Sequence, residues 1–251
     1  MTSSADNLRR MLRRWLKPLR ATPLHPQWLI HRIGKGRTDW VAQRADGAIL
    51  DVGCADQAIK RELPQLRGYV GLDYPATASH LYGTRPDVFG DASGLPFKDA
   101  CFDTVLMLDV LEHVARPGAA LQEAARVLRP GGRLLVTIPF AYPLHDQPHD
   151  YQRFTAHGIA NRLSAVGLRP VMTDEVAEGI GASMSCLVLT LAQGAIAAIA
   201  ARSWRVIFVP LVLILIPLFN LASWLLSTLL PVAELMPAAY YVHAERRMVD
   251  A

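Results

Sequence analysis

The chain is short of cysteine and of charge. Its 251 residues contain three cysteines, Cys54, Cys101 and Cys186, whose spacing matches no metal-ligand pattern. A disulfide-stapled secreted scaffold is therefore excluded, and a reducing compartment is the simpler setting. Only 19% of residues are charged against 51% hydrophobic. Charge is missing altogether from residues 179–201 and from Val206–Ala233. Acids are nearly missing from residues 1–45, where ten Lys or Arg face only Asp6 and Asp39. The formal net charge of +4 thus hides a basic head and a net acidic remainder. A basic head with an apolar tail suits a membrane surface carrying anionic lipids. Nucleic acid is set aside, because the basic residues lack aromatic interleaving.

The basic residues at the start alternate with apolar ones instead of preceding an apolar run, unlike a secretory signal; an Arg-rich, acid-poor start also fits a mitochondrial transit segment. Leu8, Met11, Leu12, Trp15 and Leu16 fall on one helical face, with Arg9, Arg10, Arg13, Arg14 and Lys17 opposite. This predicts an amphipathic helix that stops at Pro18 and lies in a bilayer interface. Packing on the chain's own core, or a frayed tail, is the alternative. Residues 18–46 are punctuated by Pro and Gly and read as an irregular lead-in.

From Ala48 short apolar runs alternate with helical segments. Strands are expected at Ala48–Val52, Tyr69–Leu72, Asp87–Phe89, Thr104–Leu108, Arg133–Ile138, Leu168–Thr173 and Ala239–Ala244. Helices are expected at Ala58–Leu63, Gly118–Leu128 and Ala156–Val166. The fold class is α/β: a seven-stranded, mostly parallel sheet with helices on both faces.

Four strand ends carry acids or glycines. Ile49-Leu-Asp-Val-Gly-Cys-Ala-Asp56 ends a buried strand with Asp51 and Gly53. Val70-Gly-Leu-Asp73 ends the next with an acid about 20 residues on, the position of a ribose-binding carboxylate. Gly90-Asp-Ala-Ser-Gly-Leu-Pro-Phe97 and Phe102-Asp-Thr-Val-Leu-Met-Leu-Asp109 follow, then Val110-Leu-Glu-His-Val114 and the glycine turn Leu128-Arg-Pro-Gly-Gly-Arg133. In this order the motifs over residues 48–175 resemble the class I S-adenosylmethionine (SAM)-dependent methyltransferases, with their Rossmann-like fold, D-V-G-C loop and L-E-H-V segment. The resemblance implies SAM as cofactor. Asp51, Gly53, Cys54, Ala55 and Gln57 would line its methionine end, and Asp73 with Tyr74 its ribose. Asp91 with Ala92 would hold the adenine, and Asp109 would lie near the amino-acid end. The family's G-x-G-x-G loop here has Ala55 and Gln57 for its last two glycines. Ala55 is accommodated if its φ is negative; Gln57 would narrow the pocket or bond the donor's carboxylate. Cys54 otherwise reads as a packing residue, and Asp103 as a turn acid.

After the fifth strand, residues 139–155 concentrate His145, Asp146, His149, Asp150, Tyr142 and Tyr151 where α/β enzymes place substrates. The stretch resembles the H-D-x-P-x-D-Y-x-R-F-T signature of one methyltransferase subset. A methyl acceptor must usually lose a proton, so His145, His149, Tyr151 and His113 are the catalytic candidates. Thr155 reads as a helix N-cap. His145, Asp146 and His149 could suit a transition metal, yet no metal is expected.

The uncharged segments at 180–201 and 206–230 are each long enough to cross a bilayer. One crossing alone would part the last strand from its sheet. Either a hairpin crosses twice, with Arg202 and Arg205 at the far tip against the positive-inside tendency, or both segments enter one leaflet. The second, monotopic arrangement at a cytoplasmic membrane face is preferred; an oligomer interface is the remaining reading, and the oligomeric state is left open. The expected organisation is a basic helix and lead-in at 1–45, a methyltransferase domain at 46–178 plus 238–251, and an apolar helical insertion at 179–237. The function expected is methyl transfer to a lipid-linked or otherwise apolar acceptor. A membrane-anchored enzyme with a soluble substrate and a non-catalytic scaffold are the alternatives.

Overall fold

The structure, a computed structural model, describes residues 11–12, 15–66, 68–76, 78, 84–176, 179–231 and 236–248. Of the expected basic helix, Leu8–Arg10, Arg13 and Arg14 lie outside the described residues; Met11, Leu12, Trp15 and Leu16 are helical. The chain forms two compact units, one of residues 36–140, 144–176 and 239–251, the other of residues 1–35, 141–143 and 177–238.

The first unit is the sheet. Its strands are β1 (Ile49–Val52), β2 (Tyr69–Asp73), β3 (Val88–Phe89), β4 (Phe102–Leu108), β5 (Leu128–Pro139), β6 (Leu168–Val176) and β7 (Ala239–Arg246). Their order is β3-β2-β1-β4-β5-β7-β6, with β7 alone antiparallel to both neighbours. All seven expected strands are present, and the closing antiparallel strand falls where the last apolar alternation put it. The strands are Leu-, Val- and Ile-rich because both faces are covered. Side chains alternate between two cores. Leu50, Val52, Val105, Met107, Leu134, Val136 and Val242 pack with α4 (Pro117–Val127) and α5 (Ala156–Ala165). Ile49, Leu106, Leu135 and Tyr241 pack with α2 (Lys35–Ala42) and α3 (Ala58–Glu62). Helix α5 begins where Thr155 Oγ1 accepts from Gly158 N at 3.1 Å, the expected N-cap. Gly132 is required by a close approach, since a Cβ there would meet Arg129 O at 2.8 Å.

The lead-in is not irregular. Residues 18–46 contain α1 (Trp28–Ile33) and α2, and Trp40 and Val41 are buried in the sheet unit. Helix α2 lacks an amphipathic pattern of its own and contains Gly36, so propensity argues against it. Tertiary contacts hold it: the Trp40 ring lies 5.3 Å from that of Tyr241, and its Nε1–H donates to Asp174 Oδ2 at 3.0 Å.

The second unit contains α1 and two helices, α6 (Ile180–Ala200) and α7 (Val209–Leu229), joined through a 3-10 turn at Trp204–Phe208. Both long helices are apolar enough and long enough to cross a membrane by length and composition. Helix α7 is built inside out. Its outward stripe is Leu211, Ile214, Leu218, Leu221 and Leu225, while Asn220 and Ser223 are fully buried. Asn220 Nδ2 donates to the carbonyls of Pro23 and His25 at 2.7 and 3.1 Å. The hydroxyls of Ser183, Thr190 and Thr228 each donate to the carbonyl four residues back, so these exposed groups are satisfied within their own helices. In the sheet, Val176 pairs with Ala239, so the strand ends that flank the intervening segment lie side by side.

Candidate active site

A cavity of about 490 Å³ opens beyond the carboxyl ends of β1, β2 and β4, the place where open α/β sheets bind ligands. Of the residues singled out from sequence, Asp51, Gly53, Cys54, Ala55, Asp73, Tyr74, Asp91, Ala92, Asp109, His113, His149 and Tyr151 line it. The sheet brings them together from five separate segments of the chain.

Gly53 makes the floor possible. Its φ is +73°, and a Cβ would meet Val110 Cγ2 at 2.5 Å. The chain turns there because Gly53 N and Cys54 N both donate to Leu72 O, at 2.8 and 3.1 Å. Beyond it the expectation fails in one respect: Ala55 and Gln57 have φ of +45° and +55°. The backbone therefore follows a glycine path with L-residues on it, at a cost of about 1 kcal/mol each. The missing glycines leave strain in the loop and do not reroute it. Ala55→Gly is expected to raise stability by about 1 kcal/mol, read as a melting-temperature rise of roughly 2–4 °C; an unchanged or lower melting temperature contradicts this reading of the loop.

Gln57 lies elsewhere than the spacing suggests. It does not line the cavity; its Nε2 would sit 3.2 Å from a Cβ placed on Gly71. It is turned towards β2 and away from the cavity wall. His145 is likewise off the wall. Its ring lies against that of His113, with the two Nε2 atoms 3.1 Å apart, and its Nδ1 is 3.3 Å from Asp150 Oδ2.

Asp73 ends β2 almost fully buried. Its Oδ2 accepts from Ala55 N at 2.8 Å and its Oδ1 from Tyr74 N at 2.7 Å. Burial pushes its pKa above the usual carboxylate range, opposed by these two bonds. Asp51 is buried behind it, accepts from Tyr69 Oη at 2.5 Å, and is pushed up to about 7, chiefly by burial. An acid raised in the folded state binds protons more tightly there than in the unfolded chain. Its contribution is fully present below the ordinary carboxylate range and is lost as pH rises towards 7. The ligand-free protein should therefore lose urea resistance between about pH 4 and 7, at up to about 1.4 kcal/mol per pH unit from this group. Asp51→Asn should flatten the profile; an equally steep one would contradict the assignment.

Burial pushes the Cys54 thiol up to about 12, so it packs and is not a nucleophile. Asp103 accepts from Ala48 N at 2.8 Å and pairs with Arg129 at 2.6 Å, a turn role as expected. Asp91 Oδ1 accepts from Ser93 N at 2.7 Å. Asp109 sits one residue past β4 at φ +57°. It accepts from Thr137 Oγ1 through Oδ1 and from Arg37 Nη1 through Oδ2, each at 2.8 Å. At the outer wall, His149 Nδ1 is 3.1 Å from Tyr151 Oη.

Four residues on or beside this wall were not foreseen: Arg37, Arg116, Asp56 and Glu112. Arg37 lies on a helix that the sequence presents as irregular, so nothing local announces it. Glu112 is the acid of the L-E-H-V segment itself. It is 1% exposed and pushed up to about 8, first by burial and then by Asp109.

The wall carries six aspartates, Asp51, Asp56, Asp73, Asp91, Asp109 and Asp146, against Arg37 and Arg116. Such a wall suits a cationic ligand bearing hydroxyls, and Arg37 provides one place for a carboxylate. The donor set thus fits SAM, a sulfonium with a ribose diol and an amino-acid end.

Residues 50–136 match a family model described as a methyltransferase domain. A ubiquinone/menaquinone biosynthesis C-methyltransferase of Roseobacter denitrificans is 38% identical over 121 residues, 43% of this chain and 48% of that protein. A demethylmenaquinone methyltransferase of Mycobacterium tuberculosis is 41% identical over 98 residues, 39% of this chain and 42% of that protein. The chain spans about half the length of the curated relatives it matches. Among solved structures, a SAM-dependent methyltransferase of Thermotoga maritima superposes with a TM-score of 0.51 at 15% identity, over 98% of this chain and all of that one. The [4+2]-cyclase SpnF gives 0.52 at 21% identity, over 85% and 80%. These two likenesses establish the fold alone.

Proposed function

We propose, from the premise that this chain carries a class I SAM-dependent methyltransferase domain, that it transfers a methyl group to an apolar acceptor at a membrane surface. The observation that carries the proposal is the acid-lined cavity at the strand ends within the matched segment. SAM supplies an electrophilic methyl on its sulfonium. Asp73 is assigned to the ribose diol, Asp91 with Ala92 to the adenine, and Asp109 with Arg37 to the amino-acid end. His149, paired with Tyr151 at the outer wall, is assigned the acceptor's proton. The relatives act in quinone biosynthesis by their names, which favours a hydroxylated ring on an apolar tail as acceptor.

The inside-out helix α7 supports a lipid contact, because a helix in water would place Asn220 and Ser223 outside. The monotopic arrangement is supported by Asn220, which lies midway along α7 and bonds the irregular backbone at Pro23 and His25. Irregular backbone is accommodated at a bilayer midplane only where protein covers it, and Leu24, between these two residues, is exposed. Trp204, Arg202 and Arg205 at the turn between the helices suit an interfacial position.

His149→Ala tests the chemical assignment. Turnover should fall about 100-fold, with SAM affinity by calorimetry unchanged. Loss of SAM affinity in step with turnover would make His149 a binding residue instead. A well-folded wild-type protein that binds no SAM would favour the scaffold reading, for which the strained positions at Ala55 and Gln57 are the motive.

A further inference from the structure

We propose that Glu112, His113 and His145 form a site for one divalent transition-metal ion of the Zn²⁺ type, beside the donor cavity. Glu112 and His113 sit on the 3-10 turn Leu111–His113 after β4, and His145 lies in the loop after β5. Their candidate ligand atoms all lie within 4.8 Å of one another. His113 Nε2 and His145 Nε2 are 3.1 Å apart, and Glu112 Oε1 is 3.7 Å from the first and 4.0 Å from the second. Two ligands held about 2.1 Å from one ion stand roughly 3.0–3.5 Å apart, so a small inward movement of the carboxylate completes the triangle.

The hydrogen bonds around the cluster set the imidazoles for this task. His113 Nδ1 is 3.0 Å from His149 O, and a carbonyl can only accept, so the proton of a neutral His113 is on Nδ1. His145 Nδ1 faces Asp150 Oδ2 at 3.3 Å, and Asp150 is held as a carboxylate by Arg153 at 2.5 Å. The proton of a neutral His145 is therefore also on Nδ1. Both neutral rings then direct Nε2 to the same point 3.1 Å apart, a spacing that a shared proton or a metal ion bound by both nitrogens can occupy. A carboxylate or carbonyl behind each Nδ1 is the usual outer partner of a metal-bound histidine.

Glu112 is the independent observation. Its carboxylate is 1% exposed, and neither oxygen has a hydrogen-bond partner among the described residues. A buried acid left in this state is costly, and an ion at the histidine pair would satisfy it. Two imidazoles with one carboxylate suit a borderline transition cation and leave further positions open. His113 also lines the cavity, so an oxygen of a bound molecule could fill one of them. The binding itself needs neither donor nor acceptor and stands apart from methyl transfer.

The test uses the full chain, stripped with chelator and then titrated with Co²⁺ and Zn²⁺. One equivalent of Co²⁺ should bind with visible d–d bands, Zn²⁺ should displace it, and His113→Asn and His145→Asn should each weaken binding at least about 100-fold. Glu112→Gln guards against a folding artefact. Without metal it should melt near the wild-type temperature, since one unpaired buried polar group replaces another of the same shape, yet the rise in melting temperature given by Zn²⁺ should be lost. Absence of a stoichiometric ion in the wild type would overturn the site. So would retention of the ion, with unchanged affinity, in both histidine variants.

Discussion

Asp73→Ala is expected to weaken SAM binding at least 100-fold. The carboxylate is fixed at the end of β2 by Ala55 N and Tyr74 N, one bond to each oxygen. Each oxygen keeps a second acceptor position, and the cavity is the open side. Bonds from two ribose hydroxyls to a charged, desolvated acceptor are worth about 1.5–3 kcal/mol each. Their joint loss corresponds to a factor of 100 or more, since about 1.4 kcal/mol is tenfold. Two backbone N–H groups also lose their acceptor, so some stability is lost with the affinity. Asp73→Asn keeps the shape and separates the effects: it should retain the fold and still lose most of the affinity. Calorimetry with SAM, with circular dichroism as the folding control, makes the measurement. An Asp73→Asn protein with wild-type affinity would remove Asp73 from the donor site.

The second large effect concerns the helical insertion. Ile214 and Leu218 lie on the outward stripe of α7, 64% and 56% exposed. If this stripe meets lipid, as proposed, replacing either by Arg exchanges an apolar contact for a charge, which costs about 2.5–3.5 kcal/mol at a helix centre. The double variant Ile214→Arg, Leu218→Arg should therefore partition into vesicles of anionic lipid at least 100-fold more weakly. In water the same changes fall on exposed positions and should leave the sheet unit folded. Asn220→Leu runs the other way. It adds hydrophobicity, yet it should destabilise the protein, because the carbonyls of Pro23 and His25 lose their donor. Vesicle flotation of the three proteins reads both effects. Undiminished flotation of the double Arg variant would place the lipid contact elsewhere or remove it.

The sheet was legible because its signals are local and repeated. Short apolar runs ending in Asp51, Asp73 and Asp109 mark strand ends whatever the tertiary context, and each acid does stand on the cavity wall. Helix α2 was illegible for the opposite reason. Its stability comes from Trp40 packing on Tyr241 and bonding Asp174, residues far along the chain, and Arg37 was hidden with it. The loop after Gly53 was half legible. The two absent glycines were visible, but positive φ at Ala55 and Gln57 is a property of the folded path. Gln57 also turned towards Gly71, where sequence spacing alone gave no direction. The histidines of the loop after β5 were recognised, yet their partners were not. The sequence grouped His145 with Asp146 and His149 as neighbours in the chain. The fold pairs His145 with His113 and Glu112, and leaves Asp146 and His149 on the cavity wall.

Methyl transfer from SAM to an apolar acceptor can be followed directly by the fate of the methyl group. Full-length protein is incubated with methyl-labelled SAM and a total lipid extract in vesicles, and label is counted in the organic phase. Label is expected in a species extracted with the lipids, reduced at least tenfold by His149→Ala and abolished by Asp73→Asn. Label that remains wholly in the aqueous phase, or no transfer at all from a protein that binds SAM normally, would contradict the proposed transfer.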